Sequence, residues 1–483
     1  MSGLPMGTSP ALDDGAHTWS FDALHSEVAA LAERLAAQGT RVLATLMDNT
    51  PAWIVADLAA TAAGVVHVPL PVFFTPAQIG HALHAAGVDT VLAPLTLAAQ
   101  WPAAPSTSCA TAGCVLALVR LPAAPVPMPA GTAKITFTSG TTGAPKGVCL
   151  SGAAMQAVAE GLVVAMAPLD IQRHLCALPF AVLLENIAGV MAPLMHGATC
   201  VVLPLNQIGL TGSSSFDAAR FQLAVVTQQP HSIILLPQML RAWVGHLLQT
   251  GQRAPACLRM VAVGGAAVGA KLLQAAHAVG VPAYEGYGLS EGASVQSLNL
   301  PGADRPGSAG RALPHARLRI AADGEVLVAG SLFNGYLGST EVPPAWWPTG
   351  DLGALDGDGY LQIQGRKKHV LITAFGRNVS PEWVETALRS EYAVAQAVVF
   401  GDGEPVLSAV LWPMRPDLPD AALQAAVDTA NATLPDYARV QRWVRGRADF
   451  SVAAGLATSN GRPQRAAIHQ LHADALTAPH TIA

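Results

Sequence analysis

Lys134-Ile-Thr-Phe-Thr-Ser-Gly-Thr-Thr-Gly-Ala-Pro-Lys-Gly147 is the stretch on which the reading of this 483-residue chain turns. A short strand runs into a loop of three glycines, four hydroxyl residues and a lysine. Glycines let the backbone approach an anion closely, and loop N–H groups can then donate to phosphate oxygens. The hydroxyls of Thr138, Ser139, Thr141 and Thr142 add donors, Gly140 and Gly143 keep the loop open, and Lys146 adds a full positive charge. The spacing is not GxxxxGK[ST], so this is not the P-loop NTPase arrangement.

Strand–helix alternation surrounds the loop. Ser20 is placed to cap a helix whose apolar positions Leu24, Val28, Leu31 and Leu35 share one face, and Gly39 stops it. A strand over 41–47, a helix opening at Pro51, a strand over 64–69 and a helix opening at Thr75-Pro76 follow. Further strands are expected over 90–93 and 114–119, and the proline-rich 121–132 is a connector. Strands over 259–263 and 283–287 resume the alternation, which implies a parallel α/β sheet. From 307 to 363 the texture becomes short β segments with glycine turns. Past Gly365 a compact α+β unit is expected: a helix capped by Ser380 with Pro381 at its first position, a hairpin at 398–411, and helices over 419–432 and 463–476.

Other motifs fall in order along the chain. Thr138–Gly147 fits TSGTTGxPKG at every fixed position, and Tyr287-Gly-Leu-Ser-Glu291 fits YGxTE with Ser290 for threonine. Gly264-Gly265-Ala266, Thr349-Gly-Asp351, Gly365-Arg366-Lys367-Lys368 and Gly376-Arg-Asn-Val-Ser-Pro381 complete the set. Over nearly its whole length the chain thus resembles the adenylate-forming superfamily of acyl-CoA synthetases, firefly luciferase and peptide-synthetase adenylation domains. The resemblance implies an N-terminal adenylation core, residues 1–366, of parallel-rich α/β subdomains plus a small β region. It also implies a small, mobile α+β lid, residues 367–483.

Site roles follow from the same resemblance. Lys146 and Thr138 to Gly143 would hold phosphates, and Glu291 would bind the Mg²⁺ that bridges them. Tyr287, with Gly288, Ser290, Gly265 and Ala266, would border adenine. Asp351 would take the ribose hydroxyls, Arg366 would contact the nucleotide, and Lys368 would be the hinge. Val182, Leu183, Ile187 and Gly264 would border the acyl pocket. The physics agrees: a carboxylate attacking an anionic triphosphate needs its charge screened by cations and preorganised donors.

Four positions depart from the pattern. The catalytic lysine of the lid is replaced by Arg462 in Thr458-Ser-Asn-Gly-Arg-Pro-Gln-Arg465, and no lysine follows Lys368. Arginine keeps the charge with a different reach and shape. Val182 stands where a histidine or aromatic gate is usual, His369 replaces the acid after the hinge, and Phe375 replaces a common glycine.

The apolar residues Leu183, Leu184, Ile187, Val190, Met191 and Leu194 point to a medium- or long-chain fatty acid, and the 298–314 run looks most like long-chain acyl-CoA synthetases. Glu185 is the only local acid. The expected reaction converts acid and ATP to acyl-AMP and pyrophosphate, then transfers the acyl group to coenzyme A. The alternative acceptor is the phosphopantetheine of an acyl carrier protein, with Arg439, Arg442, Arg445 and Arg447 as a basic face for an acidic partner. A third reading is a nucleotide- or acyl-binding homologue that has lost catalysis.

Composition excludes other classes. Only 12% of residues are charged and the net charge is −5, which argues against nucleic-acid binding. Mean hydropathy is +0.37, yet the most apolar stretch, 175–205, carries Glu185, Asn186, His196 and three prolines, so buried segments rather than a membrane span are expected. The six cysteines form no CxxC pair and fit reduced core thiols. With no basic-then-apolar start, the expectation is a cytoplasmic enzyme, monomeric or homodimeric. Lysine is scarce: Lys134, Lys146, Lys271, Lys367 and Lys368 are the whole complement.

Overall fold

The structure is a computed structural model that describes residues 3–138, 146–212, 215–374, 377–458 and 461–477. Helices begin where the caps lie. Ser20 accepts from the Ala23 N–H to open Phe21–Ala37, which buries Leu24, Val28, Leu31 and Leu35. Thr50 caps Pro51–Ala62, and Thr75 forms a reciprocal capping box with Gln78 at the start of Pro76–Ala85. Ser380 occupies the cap position of Pro381–Arg389, but its hydroxyl donates instead to Glu382 Oε2 at 3.2 Å.

Two large sheets form the N-terminal part. One has nine strands, parallel from Pro10–Asp13 through Ala283–Leu289, with antiparallel strands at both edges. The other has eight strands and is parallel only in its middle, where Thr132–Thr138, Val66–Pro69, Val42–Thr45 and Thr90–Pro94 lie side by side. The parallel alternation expected from the sequence holds in the centres of both sheets, and antiparallel strands are added at their edges. Short links such as Ala112-Gly113 close hairpins, which are antiparallel by geometry. Lys146–Ser151 likewise returns antiparallel to Thr132–Thr138.

Residues 316–366 form a four-stranded antiparallel sheet, and the C-terminal part builds a three-stranded sheet from Val394–Phe400, Leu407–Pro413 and Val440–Arg445. Mixed α/β sheets in a large N-terminal and a smaller C-terminal domain are thus the architecture. The stretch 175–205 folds as strand, π-helix Glu185–Met191, helix Ala192–His196 and strand Thr199–Val201. Among the described residues the one helical run long and apolar enough to cross a bilayer is Gly152–Leu169, and Ala154, Met155, Val158, Ala159 and Leu162 of it pack in the main core. All six cysteines are free thiols.

A buried polar cluster ties the eight-stranded sheet to the helix Pro51–Ala62 and the π-helix Glu185–Met191. Lys134 Nζ lies 2.8 Å from Asp57 Oδ1 and also bonds Asn186 on the π-helix. His67 Nδ1 is 2.6 Å from the same carboxylate, and Asn186 donates to Asp57 Oδ2 at 2.8 Å. Burial alone would raise the Asp57 pKa, but the Lys134 charge and the His67 bond hold it well below the usual carboxylate range.

Candidate functional site

A cleft of about 1350 Å³ opens where the two large sheets, the four-stranded sheet and the C-terminal part meet. Strand ends supply its polar groups. Ala283–Leu289 brings Tyr287 and Gly288 to the wall, and a short turn then presents Ser290 and Glu291. Gly288 is required there, because a Cβ would lie 2.3 Å from the Ser294 carbonyl oxygen of the paired strand.

Glu291 Oε1 accepts from the Tyr336 hydroxyl at 2.7 Å, and Lys146 Nζ lies 5.5 Å from the centre of the Tyr336 ring. Burial and the neighbouring Glu291 charge push the Tyr336 phenol up, so it remains a donor. One oxygen of Glu291 is thereby fixed, which leaves the other to a cation, as Mg²⁺ bound by one or two carboxylates requires. Sequence reasoning does not single out Tyr336. It sits in a glycine turn and becomes a site residue only because its two-residue strand pairs with Lys146–Ser151.

Asp351, 6% exposed, is buried directly behind the cleft wall formed by Tyr287, Thr349, Gly350 and Arg366 and does not itself line the cleft. Tyr287 donates to its Oδ2 at 2.7 Å, and Arg366 Nε is 2.8 Å from its Oδ1. Strand pairing sets this meeting, since Asp351 and Arg366 are direct cross-strand partners. Arg366 also donates to the Thr349 carbonyl at 3.0 Å, and the Thr349 hydroxyl receives the Asp351 N–H at 3.1 Å. Desolvation raises the Asp351 pKa, opposed by Arg366 and the Tyr287 hydroxyl. Each carboxylate oxygen retains acceptor capacity for a diol.

Lys367, Lys368, Arg462 and Arg465 line the cleft from the C-terminal side; Lys367 pairs with Asp323 and Glu325 and Arg465 with Glu385, which leaves Lys368 and Arg462 to face the space. The Thr458 N–H donates to the Arg462 carbonyl at 2.8 Å, the Arg462 N–H donates to the Thr458 hydroxyl at 3.2 Å, and Ala457 bridges Pro463. The Arg462 side chain is exposed at the cleft mouth. Desolvation and Arg366 lower its pKa while Asp351 and Glu291 oppose that, and a guanidinium remains charged throughout.

An apolar cavity of about 50 Å³ adjoins the cleft. Leu184, Ile234, Ala262, Val295 and Leu298 line both spaces. Beyond them the walls are Leu162, Met166 and Ile171, with His174 and Ser232 bonded to each other at 2.8 Å. Glu185 is fully buried and accepts from the Ala177 N–H at 3.1 Å, so it is not presented to a substrate ammonium group.

Of the other expected site residues, Thr138, Gly264, Gly265, Val182 and Leu183 line the cleft. Ala266 is exposed and does not line it, and Ile187 is fully buried in the core and lines neither space. Ser139, Gly140, Thr141, Thr142, Gly143 and Phe375 lie outside the described residues. Of the C-terminal arginines, Arg439 donates to the Leu434 carbonyl, Arg442 to the Leu476 carbonyl, and Arg445 pairs with Asp420.

Residues 6–337 match the family model described as AMP-binding enzyme. The chain belongs to that family. A second model, AMP-binding enzyme C-terminal domain, matches residues 368–479 of this AMP-binding enzyme. It is 39% identical over 186 residues to the long-chain-fatty-acid–CoA ligase FadD15 of Mycobacterium bovis, covering 37% of this chain and 31% of that ligase. It is 32% identical over 291 residues to the indoleacetate–CoA ligase of Aromatoleum aromaticum, covering 55% of this chain and 54% of the relative. The chain therefore spans between about a third and about half of the length of these curated relatives. Its fold is that of the o-succinylbenzoate CoA synthetase of Bacillus subtilis in complex with an acyl-adenylate, with a TM-score of 0.75 at 24% identity over 95% of this chain and 94% of the other.

Proposed function

We propose that this AMP-binding enzyme activates a carboxylic acid with ATP to form acyl-AMP and pyrophosphate, then passes the acyl group to coenzyme A. The acid we favour is a medium- or long-chain fatty acid. The carrying observation is the convergence of Lys146, Glu291, Arg366 and Arg462 on one cleft that adjoins an apolar cavity, with Asp351 held behind its wall by Tyr287 and Arg366. The acid's carboxylate attacks the α-phosphorus, and the bond to the β-phosphate oxygen breaks as pyrophosphate leaves. Lys146 and Arg462 offset charge along the phosphates. Asp351 accepts from the ribose hydroxyls, with Tyr287 and Arg366 fixing its orientation. Glu291, steadied by Tyr336, is the ligand for Mg²⁺, which when bound neutralises the phosphates.

Val182, Leu183 and Gly264 border the acyl group, and the cavity behind Leu184 accepts an alkyl tail better than a charged one. FadD15 supports the fatty-acid choice, while the aryl-acid relatives make it the point to test. We also infer that the adenylation core ends at 366 and the lid begins at 367, with Lys368 as hinge, and that free thiols fit a cytoplasmic location.

The test is pyrophosphate release with a panel of straight-chain and aromatic acids, with and without coenzyme A. Release with dodecanoate that yields dodecanoyl-CoA supports the proposal. Release confined to aromatic acids overturns the fatty-acid choice. Acyl-AMP without acyl-CoA indicates a carrier-protein acceptor, and no release with any acid indicates a binding protein.

A further inference from the structure

The five lysines divide sharply by partner. Lys134 is buried on Asp57, Lys271 pairs with Glu391, and Lys367 spans Asp323 at 2.6 Å and Glu325 at 2.9 Å. Lys146 follows the phosphate loop, over Tyr336. Lys368 remains. It lies on the short turn Lys367–His369 that follows the strand Leu361–Arg366. Its chain neighbours are anchored elsewhere, Lys367 by the two carboxylates and His369 by Glu382 at 2.5 Å. Lys368 itself lines the cleft with Lys146, Arg366 and Arg462, and no carboxylate pairs with it among the described residues. Desolvation and the charges of Arg366, Arg462 and Lys146 lower its pKa, with Asp351 opposing. Six Lys and Arg residues line that cleft, Lys146, Arg366, Lys367, Lys368, Arg462 and Arg465, and among the described residues Lys146 and Lys368 are the lysines there without an acid partner, which marks a site built for a multiply charged anion.

We propose that Lys368, beyond any hinge role, is a catalytic residue of the adenylation step and donates from its ammonium group to oxygens of the ATP α-phosphate. This rests on the acid-activating function proposed above. As the carboxylate oxygen bonds to the α-phosphorus, the bond to the bridging oxygen breaks and pyrophosphate departs with the electron pair. No proton moves, so the residue's task is to offset charge on the non-bridging oxygens. The lid turn carries Arg462, a planar delocalised cation, and Lys368 supplies the compact point charge that arginine does not.

The test separates the two half-reactions in Lys368→Ala and Lys368→Gln. Adenylation is read as dodecanoate-dependent exchange of labelled pyrophosphate into ATP, and thioester formation as coenzyme A consumption with supplied dodecanoyl-AMP. The expected result is loss of exchange by about 100-fold or more, as for removal of one preorganised donor. Ethylamine should restore part of the exchange in Lys368→Ala, and thioester formation should change by less than about 5-fold, below the effect expected of a preorganised donor. Exchange near the wild-type rate, or equal loss of both half-reactions without amine rescue, would overturn the proposal and leave Lys368 as a hinge only. Wild-type enzyme that exchanges with no acid, dodecanoate or aromatic, instead overturns the acid-activating function itself.

Discussion

Tyr336 and Glu285 are two residues whose environments make separable predictions. The Tyr336 hydroxyl holds one oxygen of Glu291, so Tyr336→Phe keeps the ring beneath Lys146 and removes only the donor. A hydrogen bond to a charged group contributes about 1.5–3 kcal/mol, so we expect the KM for Mg·ATP to rise roughly 10-fold or more. Steady-state kinetics with ATP varied checks this. Glu285 is 8% exposed and receives the Val268 N–H at 3.2 Å. Burial pushes its pKa up to about 7, with the Val268 bond opposing. The folded pKa is above the unfolded one, so its contribution to stability is fully present below pH 4.5 and lost as pH rises through 7. The shift corresponds to roughly 3 kcal/mol at most. Glu285→Gln should therefore raise the melting temperature at pH 8 and leave it nearly unaltered at pH 4.5, as thermal melts across that range will report. Asp351, Arg366, Glu291 and Lys146 were legible as motif positions, because each belongs to a short fixed pattern. Tyr336 was not, because its importance comes from pairing across nearly 190 residues with the Lys146 strand.

Elements show why helices were easier to read than sheets. Caps and one-sided apolar spacing are local, and Ser20, Thr50 and Thr75 open helices where expected. Strand direction depends on the partner, so Cys114–Arg120 and Lys146–Ser151 add antiparallel strands to a sheet whose centre is parallel as expected. The π-helix Glu185–Met191 is likewise a product of contacts, with Asn186 held by Asp57 and Lys134. That cluster links the strand leading to the phosphate loop with the element beside the apolar cavity. Lys134→Met should destabilise the protein by about 3–5 kcal/mol, because it strips Asp57 of its cation in the interior. Adding Asp57→Asn should recover part of that loss in urea denaturation. Strict additivity of the two changes would contradict a coupled pair.

At the scale of the whole molecule, the polar contacts between the C-terminal and N-terminal parts include, at the boundary itself, Lys367 with Asp323 and Glu325. Lys271 pairs with Glu391, Arg241 donates to the Val394 carbonyl at 3.2 Å, and Gln249 donates to the Tyr392 hydroxyl at 3.0 Å. An exposed ion pair such as Lys271 with Glu391 contributes about 1 kcal/mol or less. Close packing occurs at Gly365, where φ is +140° and a Cβ would overlap the Ser380 hydroxyl. In this arrangement Arg462 and Lys368 reach the same cleft as Glu291 and Arg366, a meeting that linear order could not display. The hydrophobic excess of the chain resolves into two large cores and one apolar side cavity.

The most direct measurement is a single-turnover reaction of the purified chain with ATP, Mg²⁺ and dodecanoate in the absence of coenzyme A, analysed by mass spectrometry. The account predicts stoichiometric dodecanoyl-AMP and pyrophosphate with the unaltered chain, and at least about 10-fold slower formation with Asp351→Asn, the loss of hydrogen bonds to a charged group. Absence of any acyl-adenylate from dodecanoate and from the aromatic acids alike, in a folded chain that binds ATP, would contradict it.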